Sequence, residues 1–145
     1  MSLTKFRPRI LLVDDDPVNL FVLTRSLRMA GFATVSAANG EAALQLIDAE
    51  RFDAVVTDVR MPRVNGIELL QNIRARFPFL PVILMTGLIE DDIRDAASTW
   101  GATALFQKPV DRTDLILAIR VLPHEPAEFL RDCEFHPSAE VAAVA

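Results

Sequence analysis

The sequence has very little with which to build a cross-link or a thiolate metal centre. Among its 145 residues there is one cysteine, Cys133, and there are two histidines, His124 and His136. A single cysteine excludes an internal disulfide, and this favours a reducing compartment. Because the two histidines show no metal-ligand spacing, a zinc site built from them is not expected.

Long apolar runs and an excess of positive charge are missing as well. No apolar run approaches the roughly 18 residues that are needed to span a bilayer, and the segment MSLTKFRPR lacks the apolar middle of a secretory signal. The formal net charge is −5, whereas binding to a nucleic-acid duplex needs Lys and Arg clustered on one face. We therefore expect a cytoplasmic protein without a direct membrane or nucleic-acid interaction.

What the sequence does have is a repeated alternation of short apolar runs with amphipathic stretches. Hydrophobic residues make up 51% of the chain, which is enough for a packed core. The alternation predicts five strand–helix pairs, with strands at residues 10–13, 33–36, 54–57, 82–85 and 104–106. Since crossover helices cover both faces of such a sheet, the predicted fold class is α/β, with a doubly wound parallel sheet of five strands.

Polar side chains follow four of these strands. Asp14 and Asp15 come after the first strand, Asp58 after the third, Thr86 after the fourth, and Lys108 soon after the fifth. The carboxyl ends of parallel strands meet at one edge, where ligands bind. Three carboxylates there form a hard oxygen site that suits Mg²⁺ or Mn²⁺, and the hydroxyl and ammonium groups suit a phosphoryl group.

Four segments in this order resemble the response-regulator receiver domain of two-component signalling: ILLVDDDP, VVTDVRMPRVNGIELL, PVILMTG and LFQKPV. The resemblance covers residues 9–120. It implies the flavodoxin-like (βα)5 three-layer sandwich, with a five-stranded sheet of order 2-1-3-4-5. Because the strand–helix pattern ends near residue 122, we expect a receiver domain over residues 1–122 and a C-terminal tail or short extra helix over 123–145.

For the acidic residues, the resemblance implies a phosphorelay step. A sensor histidine kinase or a phosphotransfer protein would pass a phosphoryl group to Asp58. The metal, Mg²⁺ or Mn²⁺, would be bound by Asp14, Asp15, Asp58 and the backbone carbonyl of Arg60. Such a domain is a phosphoacceptor that assists its own phosphorylation and dephosphorylation, and it is not an enzyme in the usual sense.

The resemblance also implies how a signal leaves the domain. Thr86 and Lys108 would bind the phosphoryl oxygens, and the change in conformation would control a downstream effector or output domain. The Lys108–Pro109 peptide bond would be cis. Receivers often form homodimers through the face of helix 4, strand 5 and helix 5, and the resemblance implies that this chain can do the same.

Two positions depart from the family pattern or have a second explanation. The switch position three residues before Lys108, commonly aromatic in receivers, is Leu105, and the aromatic Phe106 follows it. Because side chains alternate along a strand, Phe106 is expected on the opposite face, in the core. Asp16 is expected either to cap the first helix, with Pro17 in its first turn, or to touch the metal.

Two other functions fit parts of the sequence. A pseudo-receiver would keep the fold and bind partners without phosphorylation, and the intact acidic, Thr86 and Lys108 positions count against it. A phosphohydrolase of the haloacid dehalogenase type would use an Asp-x-Asp-x-Thr/Val motif, which Asp14, Asp16 and Val18 match. In that case Asp14 would take the phosphoryl group and Asp58 would be dispensable.

Overall fold

A computed structural model of the chain describes residues 7–122, in which strands and helices strictly alternate. The strands are β1 (Arg9–Val13), β2 (Ala33–Ala37), β3 (Ala54–Asp58), β4 (Val82–Thr86) and β5 (Ala104–Gln107). The helices are α1 (Pro17–Met29), α2 (Gly40–Ala49), α3 (Gly66–Arg76), α4 (Asp91–Thr99) and α5 (Arg112–Val121). All five predicted strands are present, and each is one residue longer than predicted. The tail or helix predicted for residues 123–145 lies outside the described residues.

The five strands form one parallel sheet in the order β2-β1-β3-β4-β5. The predicted fold class and strand order are therefore confirmed. The chain leaves β1 toward β2 on one side and returns to β3 on the other side. This reversal of direction opens a crevice beyond the carboxyl ends of β1 and β3, where doubly wound sheets bind their ligands.

Alternation along the strands divides the core into two layers, one on each face of the sheet. Leu11, Leu84 and Leu105 belong to the layer under α2, α3 and α4. Leu12 and Phe106 belong to the layer under α1 and α5. The strands β3 and β4 are buried at every position, which explains why they are mostly apolar. The polar residues lie at their carboxyl ends, Thr57 and Asp58 in β3 and Thr86 in β4.

Local caps determine where the helices next to the crevice begin and end. The Asp16 carboxylate accepts a hydrogen bond from the N–H of Val18 at 3.0 Å and caps α1. Asn65 forms a capping box with Glu68 at the start of α3. Gly31, with φ of 102°, follows the end of α1 and adopts the left-handed conformation that glycine favours. Capping is thus the confirmed role of Asp16.

No helix in the described range, residues 7–122, is both long and apolar enough to cross a membrane.

Candidate functional site

The carboxyl edge of the sheet brings four predicted residues together. Asp14 directly follows β1, Asp58 and Thr86 are the last residues of β3 and β4, and Lys108 directly follows β5. The Lys108 Nζ lies 3.1 Å from Asp14 Oδ2 and 3.2 Å from Asp58 Oδ2. One ammonium group therefore bridges two carboxylates that come from neighbouring strands.

Asp14 is fully buried, and both of its carboxylate oxygens are held by donors. The N–H of Asp16 donates to Oδ1 at 2.9 Å, while the Asn19 side-chain amide donates to Oδ2 at 2.6 Å and Lys108 donates to the same oxygen. Burial raises the pKa of Asp14, but these hydrogen bonds outweigh it and leave the pKa below its ordinary value. The carboxylate form of Asp14 is therefore favoured, and its two oxygens are held in place.

Asp58 is nearly as buried, with its side chain 9% exposed, but fewer groups compensate its charge. Burial raises the pKa of Asp58, and the charge of Asp14 raises it further. Lys108 and the backbone N–H of Arg60 oppose these effects without cancelling them. Of the two carboxylates, Asp58 is thus the one that would gain more from a bound cation or from covalent neutralisation.

Lys108 keeps its proton in this environment. Burial lowers the pKa of Lys108, but its hydrogen bond to Asp14 and the charges of Asp58 and Asp14 raise it above the ordinary value. The peptide bond between Lys108 and Pro109 is cis, as the resemblance implied. The Lys108 N–H donates to the Thr86 carbonyl at 2.8 Å, so the ends of β4 and β5 are tied together at this edge.

The carboxylates also meet the geometric requirement for a metal site. Asp14, Asp15 and Asp58 each offer one carboxylate oxygen, and these oxygens lie within 4.8 Å of one another. Asp15 is exposed, so the cluster opens to solvent. Lys108 pairs with only two of these three carboxylates, Asp14 and Asp58. The remaining negative charge and the hard oxygen donors fit Mg²⁺, which keeps several of its waters when bound. The residues present therefore fit the predicted cofactor.

Thr86 is completely buried at the end of β4. Its hydroxyl donates to the carbonyl of Leu88, two residues along the chain, at 3.2 Å. In this conformation the Thr86 hydroxyl is bonded within the loop that follows β4, and the Thr86 carbonyl accepts a hydrogen bond from the Lys108 N–H. A new acceptor in the crevice would compete with the Leu88 carbonyl for this hydroxyl.

Leu105 and Phe106 occupy opposite faces of the sheet. Leu105 is fully buried in the layer under α2, α3 and α4, and Phe106 is buried in the layer under α1 and α5. The expectation that Phe106 is a core residue is thus confirmed. The Leu105 position carries no aromatic ring that could change rotamer.

Sequence reasoning assigned Arg60 only a carbonyl ligand and missed its side-chain partner. The Arg60 guanidinium pairs with the carboxylate of Glu90, the residue that precedes α4. This ion pair connects the loop after β3 to the start of α4. No sequence pattern marks it, because the two residues are 30 positions apart.

Asn19 was also missed, although a signal for it was present. It lies in the first turn of α1, three residues after Asp16. A helix that begins directly after an acidic segment brings its first turn close to those acids. An amide at that position is a natural donor to a buried carboxylate.

Comparison with known proteins places this site in a family. The family model of the response regulator receiver domain matches residues 10–120. The chain is 38% identical over 112 residues to the transcriptional regulatory protein GlrR of Escherichia coli (strain K12), an alignment that covers 76% of this chain and 25% of GlrR. It is 38% identical over 114 residues to the response regulator MprA of Mycolicibacterium vanbaalenii, covering 79% of this chain and 49% of MprA. The chain thus spans a quarter to a half of these relatives.

Solved structures agree with this assignment. The signal receiver domain of an HD domain-containing protein from Pseudomonas fluorescens Pf-5 superposes with a TM-score of 0.77 at 30% identity, covering 88% of this chain and 99% of that one. Chemotaxis protein CheY4 of Vibrio cholerae gives 0.76 at 26% identity, covering 81% and 99%. The residues matched by the family model, 10–120, include four whole strands, all of β1 except Arg9, and the four site residues Asp14, Asp58, Thr86 and Lys108. The chain belongs to the response regulator receiver domain family.

Proposed function

We propose that this chain is a phosphoacceptor switch in which Asp58 receives a phosphoryl group from a sensor histidine kinase or a phosphotransfer protein. The observation that carries the proposal is the contrast between the two buried carboxylates. Donors hold both oxygens of Asp14, whereas Asp58 is left with a raised pKa beside a single shared ammonium group. A reactive carboxylate needs this combination of position and incomplete compensation.

In the transfer step, a carboxylate oxygen of Asp58 attacks the phosphorus of the phosphohistidine. The P–O bond forms, the P–N bond breaks, and the imidazole leaves with the electron pair of that bond. Lys108 neutralises negative charge on the phosphoryl oxygens during the step, since it already lies 3.2 Å from Asp58. When bound by Asp14, Asp15, Asp58 and the backbone carbonyl of Arg60, Mg²⁺ or Mn²⁺ would supply further charge neutralisation.

The switch follows from the new acceptors that the phosphoryl group brings. Its oxygens compete with the Leu88 carbonyl for the Thr86 hydroxyl and form charge-assisted hydrogen bonds with Lys108. Moving the hydroxyl of Thr86 frees the loop between β4 and α4. The population of loop conformations is then the signal that a partner detects.

The partners on the output side are an effector protein or an output domain in the cytoplasm. GlrR, named as a transcriptional regulatory protein, and MprA, named as a response regulator, are both longer than this chain. A second copy is another partner, docked through the face formed by α4, β5 and α5. On α5, Leu117 and Val121 are exposed and supply apolar contact area for such a dimer.

The hydrolase alternative is disfavoured by the surroundings of Asp14. As a nucleophile, Asp14 would need an oxygen free to attack phosphorus, but the Asp16 N–H, Asn19 and Lys108 occupy both of its oxygens. Asp16, the second acid of the hydrolase motif, caps α1 instead. These contacts support Asp58 over Asp14 as the acceptor.

The test is the intact mass of the chain after incubation with Mg²⁺ and acetyl phosphate. We expect a gain of one phosphoryl group that depends on Mg²⁺ and disappears in Asp58→Asn. The matched control is Asp53→Asn, because Asp53 precedes the same strand at its other end and accepts a hydrogen bond from the Arg9 N–H at 2.7 Å. This control should still be labelled.

Labelling that persists in Asp58→Asn would overturn the assignment and direct attention to Asp14. An unlabelled wild-type chain, with acetyl phosphate and with a phosphorylated histidine phosphotransfer protein, would instead support the pseudo-receiver. Loss of labelling in Asp53→Asn as well would mean that both substitutions prevent labelling by disturbing the folded structure, and the assignment of Asp58 would lose its support.

A further inference from the structure

At the opposite, amino-terminal edge of the sheet lies a groove of about 550 Å³. It runs between the end of α2 and the loop that joins α3 to β4. Ile47, Phe52 and Leu80 form its floor and pack against the core layer under α2, α3 and α4. Phe77 and Phe79 stand at its rim. At 78%, Phe79 is the most exposed large apolar side chain of residues 7–122.

The loop that carries Phe79 is held open by hydrogen bonds. The Leu80 N–H donates to the Phe77 carbonyl at 3.2 Å. The Arg74 guanidinium donates to the Leu80 carbonyl at 2.6 Å and to the Gly101 carbonyl at 2.8 Å. These bonds hold the backbone on both sides of Phe79, and in this conformation the Phe79 ring is exposed. Another apolar surface is needed to bury it.

Two of the three arginines around the groove form ion pairs, and the third does not form one with any of residues 7–122. Arg76 pairs with Asp48, and Arg9 pairs with Glu50 and stacks over the Phe52 ring. The Arg51 side chain is exposed and forms no ion pair with any residue between 7 and 122. An apolar floor with an unpaired guanidinium beside it suits a segment that carries both aromatic and acidic side chains.

This sequence contains such a segment directly after α5. Residues 123–145 hold five acidic residues against a single arginine, and the part EFLRDCEF, residues 128–135, adds Phe129 and Phe135. The end of α5 lies at the same edge of the sheet as the groove. The Arg120 side chain donates there to the carbonyl of Ala30, which follows the last residue of α1.

The segment is also long enough to reach the groove. The path from α5 to the end of α2 passes under the sheet, from one helical layer to the other, which is about two helix diameters or ~20 Å. Phe129 is seven residues beyond Leu122, and an extended chain covers about 3.3 Å per residue. Phe129 can thus reach the rim of the groove, and Phe135 can extend beyond it.

We propose that residues 128–135 dock in the groove of the same chain, with Phe129 and Phe135 against Phe77 and Phe79 and with acidic groups beside Arg51. The docked segment covers the most exposed apolar side chain of the described fold. This site is at the edge opposite to Asp58, so the proposal does not depend on phosphorylation.

The single cysteine provides the probe for a direct test. A nitroxide attached to Cys133 broadens the NMR signals of nearby amides. We expect selective loss of signal intensity for residues 48–52 and 76–80, and recovery of that intensity in Phe79→Ser and in Arg51→Glu. The matched control is Phe21→Ser, since Phe21 is another exposed phenylalanine and lies on α1, away from the groove. This control should keep the broadening at the groove.

Two further measurements make the result decisive. In a mixture of isotope-labelled chains without nitroxide and unlabelled chains that carry it, broadening at the groove would show that the occupant is a second copy and would overturn the proposal. Without any nitroxide, the double variant Phe129→Ser/Phe135→Ser should speed hydrogen exchange at residues 76–80. Unchanged exchange, or broadening spread evenly over the surface, would also overturn the proposal.

Discussion

The two edges of the sheet are built by the same strands, yet they pair their charges in different ways. At the carboxyl edge, Lys108 alone serves the buried carboxylates of Asp14 and Asp58. At the amino edge, arginines bind carboxylates that are partly exposed, as Arg9 does with Glu50, and backbone carbonyls. Charge is therefore under-compensated at one edge and nearly balanced at the other.

This difference explains which ligand each edge suits. Buried charges that lack full compensation gain strongly from a cation or from covalent neutralisation, because water cannot screen them. Exposed ion pairs gain little from a ligand, so binding at the amino edge comes mainly from the burial of aromatic rings, with Arg51 as an additional charged contact. The following variants test this contrast.

The largest effect is expected from Gly66→Ala, which disturbs the loop that holds Asp58. A Cβ on Gly66 would overlap the Asp58 carbonyl and lie 2.8 Å from the Cα of Val59. These are backbone atoms of a buried strand end and cannot move easily, so we expect a loss of about 3 kcal/mol in the free energy of unfolding. The measurement is urea denaturation, with Mg²⁺ affinity as a second readout that should also fall.

The matched control is Gly87→Ala, also beside the site. A Cβ on Gly87 would meet nothing within 4 Å, so the unfolding free energy should stay constant or rise by about 0.5 kcal/mol through loss of unfolded-state entropy. Equal effects of the two substitutions would show that the contact between Gly66 and the Asp58 backbone does not hold the site in place.

A somewhat smaller effect is expected from Lys108→Met. This variant leaves Asp14 and Asp58 in the crevice without their shared counter-charge, and removal of one partner from a buried pair typically costs about 3 kcal/mol. Because the Lys108 side chain is 26% exposed, we expect a loss of about 2 kcal/mol, measured by urea denaturation in EDTA. Added Mg²⁺ should restore part of the loss by binding the folded state. Arg25→Met, on the exposed side of α1, should change little.

The two carboxylates should also respond to pH in opposite ways. The pKa of Asp58 is raised in the folded chain, so protonation favours folding and metal-free stability falls as pH rises through that pKa. The pKa of Asp14 is lowered, so its contribution is present above 3.8 and is lost as pH falls below that value. Asp58→Asn should therefore gain stability relative to wild type as pH rises.

The measurement is urea denaturation of wild type and Asp58→Asn from pH 4 to pH 8 in EDTA. Groups that do not interact with Asp58 cancel in the difference, whereas Asp14 and Lys108 titrate together with Asp58 and contribute to it. The difference should grow with pH and then level off above the folded pKa of Asp58. A difference that does not depend on pH would contradict the assigned direction of the Asp58 shift.

The sequence was sufficient for most of the fold and for the residues that the strands deliver. Buried parallel strands are mostly apolar, so the polar residues that follow the apolar run mark the carboxyl end, as Thr57 and Asp58 do in β3 and Thr86 does in β4. Strand order followed from the family resemblance, because periodicity alone gives no order. In four of the five strands the residue missed by the prediction is polar and still belongs to the sheet ladder: Arg9, Asp58, Thr86 and Gln107. In β2 the missed residue is the apolar Ala37.

Side-chain partners were beyond sequence reasoning wherever they depend on how loops meet in space. The pairing of Arg60 with Glu90 joins two loops that are distant in the chain. The bond from the Thr86 hydroxyl to Leu88 is local, but it competes with other acceptors in the crevice. The family resemblance names Thr86 without telling which acceptor it has in this conformation.

The smallest expected effects come from one exposed ion pair at each edge. The side chains of Arg60 and Glu90 are 60% and 46% exposed, and within residues 7–122 neither forms another side-chain hydrogen bond or ion pair. Arg60→Met and Glu90→Gln should therefore cost the same, about 0.5 kcal/mol or less, and the double variant should cost no more. The cost should vanish in 1 M salt, because the Debye length is then about 3 Å and the attraction between exposed charges is screened.

For the ion pair at the amino edge, Arg9 with Glu50, we expect the two partners to contribute unequally to stability. Arg9 binds Glu50, but it also donates to the Arg51 carbonyl at 2.8 Å and lies 4.9 Å from the centre of the Phe52 ring. Arg9→Met should thus cost about 1 kcal/mol more than Glu50→Gln, and this excess should survive in high salt. Equal costs for Arg9→Met and Glu50→Gln would show that the arginine at this edge acts through its charge alone. The stacking of Arg9 on Phe52 would then contribute nothing to the stability of the groove floor.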